Sequence, residues 1–230
     1  PGTPSLPGIG HGVFADASYV YLAHAGGNNF TVINKSNWSI VSGTPSLPGI
    51  SYCVFVDDDF VYLGNQSGNR YGIVKKSDWS IVTGTPSLTG PCKGIYADDA
   101  RVYFSYDIPP HFTAINKSDW SVVPGTPSLP NDANGVFADA SYVYLVYEVA
   151  PYFMVIRKSD WSIVPGTPSL PGTGYGVFAD AELVYLAHAG GNKFTVVNKS
   201  DWSVVGGTPS VSGTGYGVFA DAELVYLAHA

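Results

Sequence analysis

The word Gly-Thr-Pro-Ser stands at Gly2, Gly43, Gly84, Gly125, Gly166 and Gly207, a constant interval of 41 residues with no insertion or deletion between copies. A period of this length marks a repeat architecture in which one supersecondary unit stacks on the next. Five full units begin near residues 1, 42, 83, 124 and 165, and a sixth, beginning near 206, runs for 25 residues. Within that sixth unit Gly213 to Ala230 repeats Gly172 to Ala189 letter for letter. One such unit has too little apolar surface to be stable alone, so a single repeat domain over residues 1–230 is expected, with its burial spread over the joints between units. Because the sequence opens on Pro1 and stops at Ala230 inside a repeat, an excerpt or the ordered part of a longer protein is also expected.

The fifth unit serves as a template. Gly176-Val177-Phe178-Ala179-Asp180 and Leu183-Val184-Tyr185-Leu186-Ala187 read as two short strands joined by a tight hairpin. After the turn signal Gly190-Gly191-Asn192, Lys193-Phe194-Thr195-Val196-Val197 reads as a third. Trp202-Ser203-Val204-Val205 reads as a fourth, after Lys199-Ser200-Asp201. No helical period of useful length interrupts them. The runs Val20-Tyr21-Leu22, Val61-Tyr62-Leu63 and Val143-Tyr144-Leu145 are continuously apolar, as strands covered on both faces must be.

Four short antiparallel strands in about 40 residues is the size of one blade of a β-propeller. The Gly-Val-Xaa-Xaa-Asp strand followed by a Val-Tyr strand resembles the broad class of six-bladed propellers. WD40 signatures are absent, since the order here is Asp-Trp, as at Asp78-Trp79. The resemblance implies an all-β propeller of four-stranded blades, six-bladed with the sixth incomplete, and it implies no activity. Two unpaired strands' worth of sheet edge at that sixth blade invite completion by residues beyond Ala230 or by another chain.

Composition narrows the partners. With 45% hydrophobic and 14% aromatic residues against 13% charged, the chain is expected to be ordered. A net charge of -7, with only 11 Lys and Arg, argues against nucleic acid, which needs a basic stripe. The sequence contains no apolar run long enough to span a bilayer, so no membrane insertion is expected.

Comparison of the copies locates the candidate site. The turns Ala15-Asp16-Ala17 and Lys35-Ser36-Asn37-Trp38-Ser39 recur almost unchanged. The connections before the first strand and after the second vary, and in an up-down-up-down sheet both emerge at the same end. Diversity on one end of a constant scaffold is what a recognition surface would show. The inner candidates are His11, Tyr52, Lys93, Asn134, Tyr175 and Tyr216. Further out are His24, Tyr106, Asp107, Tyr147, Glu148 and His188. Aromatic rings among amides and carboxylates suit sugar rings or a protein epitope. The leading expectation is therefore a non-enzymatic, extracellular or surface-displayed binding or adhesion module for a glycan or protein ligand. Its alternative is a structural repeat of a filament, fibre or surface layer that self-associates through the incomplete sixth blade.

Other constellations point to structure. The six aspartates Asp16, Asp57, Asp98, Asp139, Asp180 and Asp221 fit turn positions that accept backbone N–H groups, and calcium would need six to eight oxygens converging on one point. The tryptophans at Trp38 and its four counterparts fit packing of one unit on its neighbour. His24, His188 and His229 occupy one repeat position and would lie too far apart for zinc. No cofactor or metal is expected. A glycosidase would need two carboxylates flanking the scissile bond, and Asp107 with Glu148 is the one off-pattern acidic pair on the variable end. Cys53 and Cys92, in adjacent units, are either a disulfide or buried thiols. Asn29-Phe30-Thr31, Asn34-Lys35-Ser36 and Asn65-Gln66-Ser67 match the glycan acceptor pattern.

Overall fold

The computed structural model describes residues 4–6 and 8–230, so Gly2 and Thr3 of the first repeat word lie outside the described residues. Among the described residues every element is a β-strand, arranged as six small antiparallel sheets in chain order. The first three are β1 (Gly10–Ala15), β2 (Tyr19–His24) and β3 (Phe30–Asn34); β4 (Ser51–Val56), β5 (Phe60–Asn65) and β6 (Tyr71–Lys75); and β7 (Cys92–Ala97), β8 (Arg101–Tyr106) and β9 (Phe112–Asn116). The next two are β10 (Ala133–Ala138), β11 (Tyr142–Tyr147) and β12 (Phe153–Arg157), then β13 (Gly174–Ala179), β14 (Leu183–His188) and β15 (Phe194–Asn198). The sixth sheet has two strands, β16 (Gly215–Ala220) and β17 (Val225–His229).

The expected fourth strand is reduced to a single bridge in each of the five full units, Ile33 to Ile40, Val74 to Ile81, Ile115 to Val122, Ile156 to Ile163 and Val197 to Val204. The reason is local. Trp38 and its counterparts sit at the turn with φ of 58–61° instead of opening a strand. Two residues beyond Val41 the chain turns again at Gly43, with φ 82°, and then meets Pro45, which has no N–H to donate. After the third and fourth bridges Pro124 and Pro165 arrive sooner still. A ladder bounded in this way has room for about one bridge.

The chain divides into two compact units, Pro1–Phe104 with Thr113–Val123, and Ser105–Phe112 with Pro124–Ala230. In the first, Tyr21, Val32, Val61, Leu63 and Val74 form a core between the first two sheets, where β1 lies against β4. In the second, Tyr144, Val155, Val184, Leu186 and Val197 do the same between the fourth and fifth sheets, and a smaller cluster around Tyr185, Val196 and Ala220 joins the fifth to the sixth. The middle strands β5, β8, β11 and β14 are covered on both faces, as their continuous apolar runs predict, whereas Val20 and Leu22 of β2 are half-buried.

Candidate functional site

The variable position before each first strand has a structural identity that spacing alone does not reveal. In β1 the register passes from Gly10 opposite His24 to Gly12 opposite Ala23, so His11 is an extra residue in the ladder. The same shift leaves Tyr52 between Ser51 and Cys53, Asn134 between Ala133 and Gly135, Tyr175 between Gly174 and Gly176, and Tyr216 between Gly215 and Gly217. A β-bulge frees one residue from pairing and re-aims its side chain, and bulges gather at sheet edges beside functional sites. The signal in the sequence was the glycine one residue later, at Gly12, Gly135, Gly176 and Gly217, with Cys53 in its place after Tyr52. A Cβ on Gly176 would stand 2.9 Å from the Gly217 Cα, and one on Gly135 would stand 2.9 Å from the Tyr175 carbonyl oxygen, so the backbones of successive first strands nearly touch there.

The bulge side chains reach one another. In the first unit His11 meets the edge of Tyr52 with ring centres 5.5 Å apart, and His11 is exposed. Lys93 is half-buried at the same repeat position. In the second unit Tyr175 packs on Tyr216 at 5.2 Å, Tyr216 is 54% exposed, and Asn134 donates from Nδ2 to the Gly174 carbonyl at 3.0 Å.

The outer candidates divide. His24, Tyr106, Tyr147 and His188 are buried at the ends of their second strands and are not available to a ligand at the surface, and His24, Tyr147 and His188 stand opposite the residue before the bulge. His24 and His188 place Nε2 2.9 Å from Thr31 Oγ1 and Thr195 Oγ1 respectively. Burial holds both imidazoles below the ordinary histidine range, with backbone hydrogen bonds opposing it. Glu148 is exposed, whereas Asp107 is half-buried with Oδ1 enclosed and unpaired. The exposed tips of these connections carry Ile108 and Val149, which the loop comparison had not singled out. Among the acceptor-pattern asparagines, Asn65 is buried and takes a hydrogen bond from Ser51 Oγ at 2.8 Å, and Asn29 donates to the Leu47 carbonyl at 2.9 Å.

The constant end is consumed by structure. Asp57 Oδ1 accepts from the N–H groups of Asp59 and Phe60, and Oδ2 accepts the Tyr62 hydroxyl at 2.6 Å and the Lys117 ammonium at 2.7 Å. Lys117 belongs to the following repeat. Lys76 reaches Asp16 and Lys199 reaches Asp139 in the same way. Burial works to raise the Asp57 carboxyl, but Lys117, Tyr62 and the turn N–H together hold it below the usual carboxylate range. Burial and Asp180 push the Tyr185 hydroxyl up to about 12. Cys53 and Cys92 are free thiols. Cys92 is fully buried, and burial followed by its hydrogen bond to Cys53 drives its pKa up.

No family model matches this chain, and no curated protein is similar to it in sequence. Solved structures are similar in shape. The computationally designed Ika8 protein matches with a TM-score of 0.83 and 7% identity over 99% of this chain and 70% of its own. The WD40 repeats of RRP9 match with a TM-score of 0.81 and 10% identity over 98% of this chain and 75% of theirs. The fold is a β-propeller. A catalytically inactive virginiamycin B lyase from Staphylococcus aureus, solved with quinupristin, matches this propeller with a TM-score of 0.76 and 15% identity over 97% of this chain and 78% of the lyase. At such identities the likeness is one of fold alone.

Proposed function

We propose that this propeller is a non-enzymatic binding or adhesion module, secreted or displayed on a cell or virion surface, which holds a glycan or protein ligand against the bulged ends of its sheets. The observation that carries this reading is the bulge itself. The scaffold repeats almost unchanged, yet one residue per unit is released from the ladder, and that residue is the one that varies: His11, Tyr52, Asn134, Tyr175 and Tyr216. Exposed rings beside amide and carboxylate groups offer a stacking face with fixed hydrogen-bond directions. The exposed Ile108, Val149 and Glu148 add an amphipathic rim in the second unit.

The test compares the chain with a variant carrying His11→Ser, Tyr52→Ser, Tyr175→Ser and Tyr216→Ser. Both are probed on a glycan array and against a panel of immobilised surface proteins. Binding by the parent that falls at least tenfold in an equally folded variant supports the reading. Binding that survives the four substitutions rejects it.

A further inference from the structure

The joint between the second and third sheets departs from the repeat at three positions together. These positions are Gly12, Ala23 and Ser51 at the preceding joint, and Gly135, Val146 and Gly174 at a later one, but here they are Cys53, Gly64 and Cys92. β4 lies against β7 at this joint, and Cys53 is the ladder partner of Gly64. A Cβ on Gly64 would lie 2.5 Å from Cys53 Sγ and 2.8 Å from Cys92 Sγ, so the missing methyl group leaves room for both sulfurs. Volume that Val146 supplies from the middle strand elsewhere is supplied here by two thiols. They are the only cysteines in the chain, and they touch through a hydrogen bond.

The two thiols differ in access. Cys53 is half-buried, whereas Cys92 is fully enclosed and donates from Sγ to the Gly94 carbonyl at 3.3 Å. Burial first, and the neighbouring Cys53 second, hold the Cys92 thiol well above the ordinary cysteine range, so Cys92 keeps its proton. Exchange with a disulfide is begun by a thiolate that the reagent can reach. Cys53 is therefore placed to meet a reagent, and Cys92 stands behind it.

We propose that Cys53 and Cys92 form a thiol-disulfide exchange site, at which a low-molecular-weight disulfide oxidises the pair to a cystine bridge between β4 and β7. The Cys53 thiolate attacks one sulfur of the reagent, whose S–S bond breaks as a mixed disulfide forms, and the first thiol leaves with a proton from solvent. Cys92 then gives its proton to solvent and attacks Cys53 Sγ. The mixed disulfide breaks, the bridge forms and the second thiol leaves. In all, the two cysteines lose two electrons and two protons, and the reagent gains them as two thiols. Because the sulfurs already touch, closing a bond of about 2.05 Å asks little of the backbone. Tyr52 directly precedes Cys53 and Lys93 directly follows Cys92, so the bridge ties two neighbouring positions of the variable end together whether or not that end holds a ligand.

The test incubates the reduced 230-residue chain with oxidised glutathione and follows it by intact mass, titration of free thiols and peptide mapping. Both thiols are expected to disappear with the loss of two hydrogens and no retained glutathione, and the map to join Cys53 to Cys92 within one molecule. Cys92→Ala is expected to stop at one glutathionyl group on Cys53. Cys53→Gly is expected to react at least about tenfold more slowly than the parent, its remaining thiol being enclosed. Each variant installs the residue of another unit, Ala133 or Gly12, and unchanged near-ultraviolet circular dichroism checks its fold. In urea the bridged chain should show a folding constant at least about tenfold above that of the reduced chain, because the bridge closes a long loop in the unfolded state. Thiols that react only once the chain is unfolded overturn the exchange site. A glutathionyl group that persists on Cys53 of the parent, or a bridge between molecules, overturns the pairing, and a bridged chain no more stable than the reduced one overturns the bridge as a fastening of the two sheets.

Discussion

At the scale of single residues, the repeat shows which side chains exchange volume. Gly64 stands where other units have Ala23, Ser105, Val146 and Ala187, and a Cβ there would lie 2.5 Å from Cys53 Sγ and 2.8 Å from Cys92 Sγ. Cys53 in turn replaces the glycine of Gly12 and Gly176, so the two sulfurs occupy space that alanine fills elsewhere. Gly64→Ala should therefore cost about 1–3 kcal/mol through overpacking. The same change made in a Cys53→Gly background, which recreates the Gly12 and Ala23 pairing, should cost distinctly less, and a denaturant double-mutant cycle reads the difference. His24 and His188 lead to a pH effect. Their folded pKa values lie below the unfolded value of about 6.5, so their contribution is intact above that pH and is lost as the pH falls toward the folded value. Each histidine withdraws up to about 1.4 kcal/mol per pH unit in that window. Replacing both with Gln should flatten the fall in melting temperature between about pH 7 and pH 5, an interval chosen to bracket the free histidine pKa. An unchanged slope would place the acid sensitivity elsewhere.

At the scale of elements, the lysine-aspartate clasp explains why two turns scarcely vary. The Asp side chain caps its own hairpin and then receives the ammonium of the next unit, so one residue fixes a turn and a joint together. Lys117→Met leaves the half-buried Asp57 with one charge partner fewer and should cost about 1–3 kcal/mol. Lys35→Met, at an exposed copy of the same position, should fall within about 0.5 kcal/mol of the parent. Equal losses at both positions would show that the clasp contributes nothing beyond the turn. The three strands that form full ladders were legible because β-branched and aromatic residues bounded by Gly and Asp signals leave little alternative. The fourth was misread for a physical reason. Trp202-Ser203-Val204-Val205 has strand composition, but Trp202 adopts φ 61°, a conformation no propensity assigns to tryptophan, and it is held there by its N–H on the Asn198 carbonyl at 2.9 Å and by packing on Tyr142. Tertiary contact overrides local preference at that turn.

At the scale of the whole molecule, the 41-residue period carried the architecture, and the differences between copies carried the candidate site, each up to a definite limit. The period identifies units and their sheets because every copy must bury the same faces. Variation among copies pointed to one end of the sheets, but it could not separate bulge residues from strand ends, since both vary and only the register distinguishes them. His11 and Tyr175 vary because nothing in the ladder constrains them, whereas His24 and Tyr147 vary inside the protein, where the neighbouring connection changes with them. That distinction has a consequence for stability. His11→Ser should shift stability by no more than about 0.5 kcal/mol, being an exposed change outside any ladder. Tyr147→Ser empties a fully buried site and should cost about 3–5 kcal/mol. Asn134→Ala lies between them at about 1 kcal/mol, because its side chain donates to the Gly174 carbonyl across to the next sheet. Urea denaturation of the three variants ranks them directly, and a bulge substitution as costly as the buried one would mean that the varied residues are part of the scaffold and not a surface placed upon it.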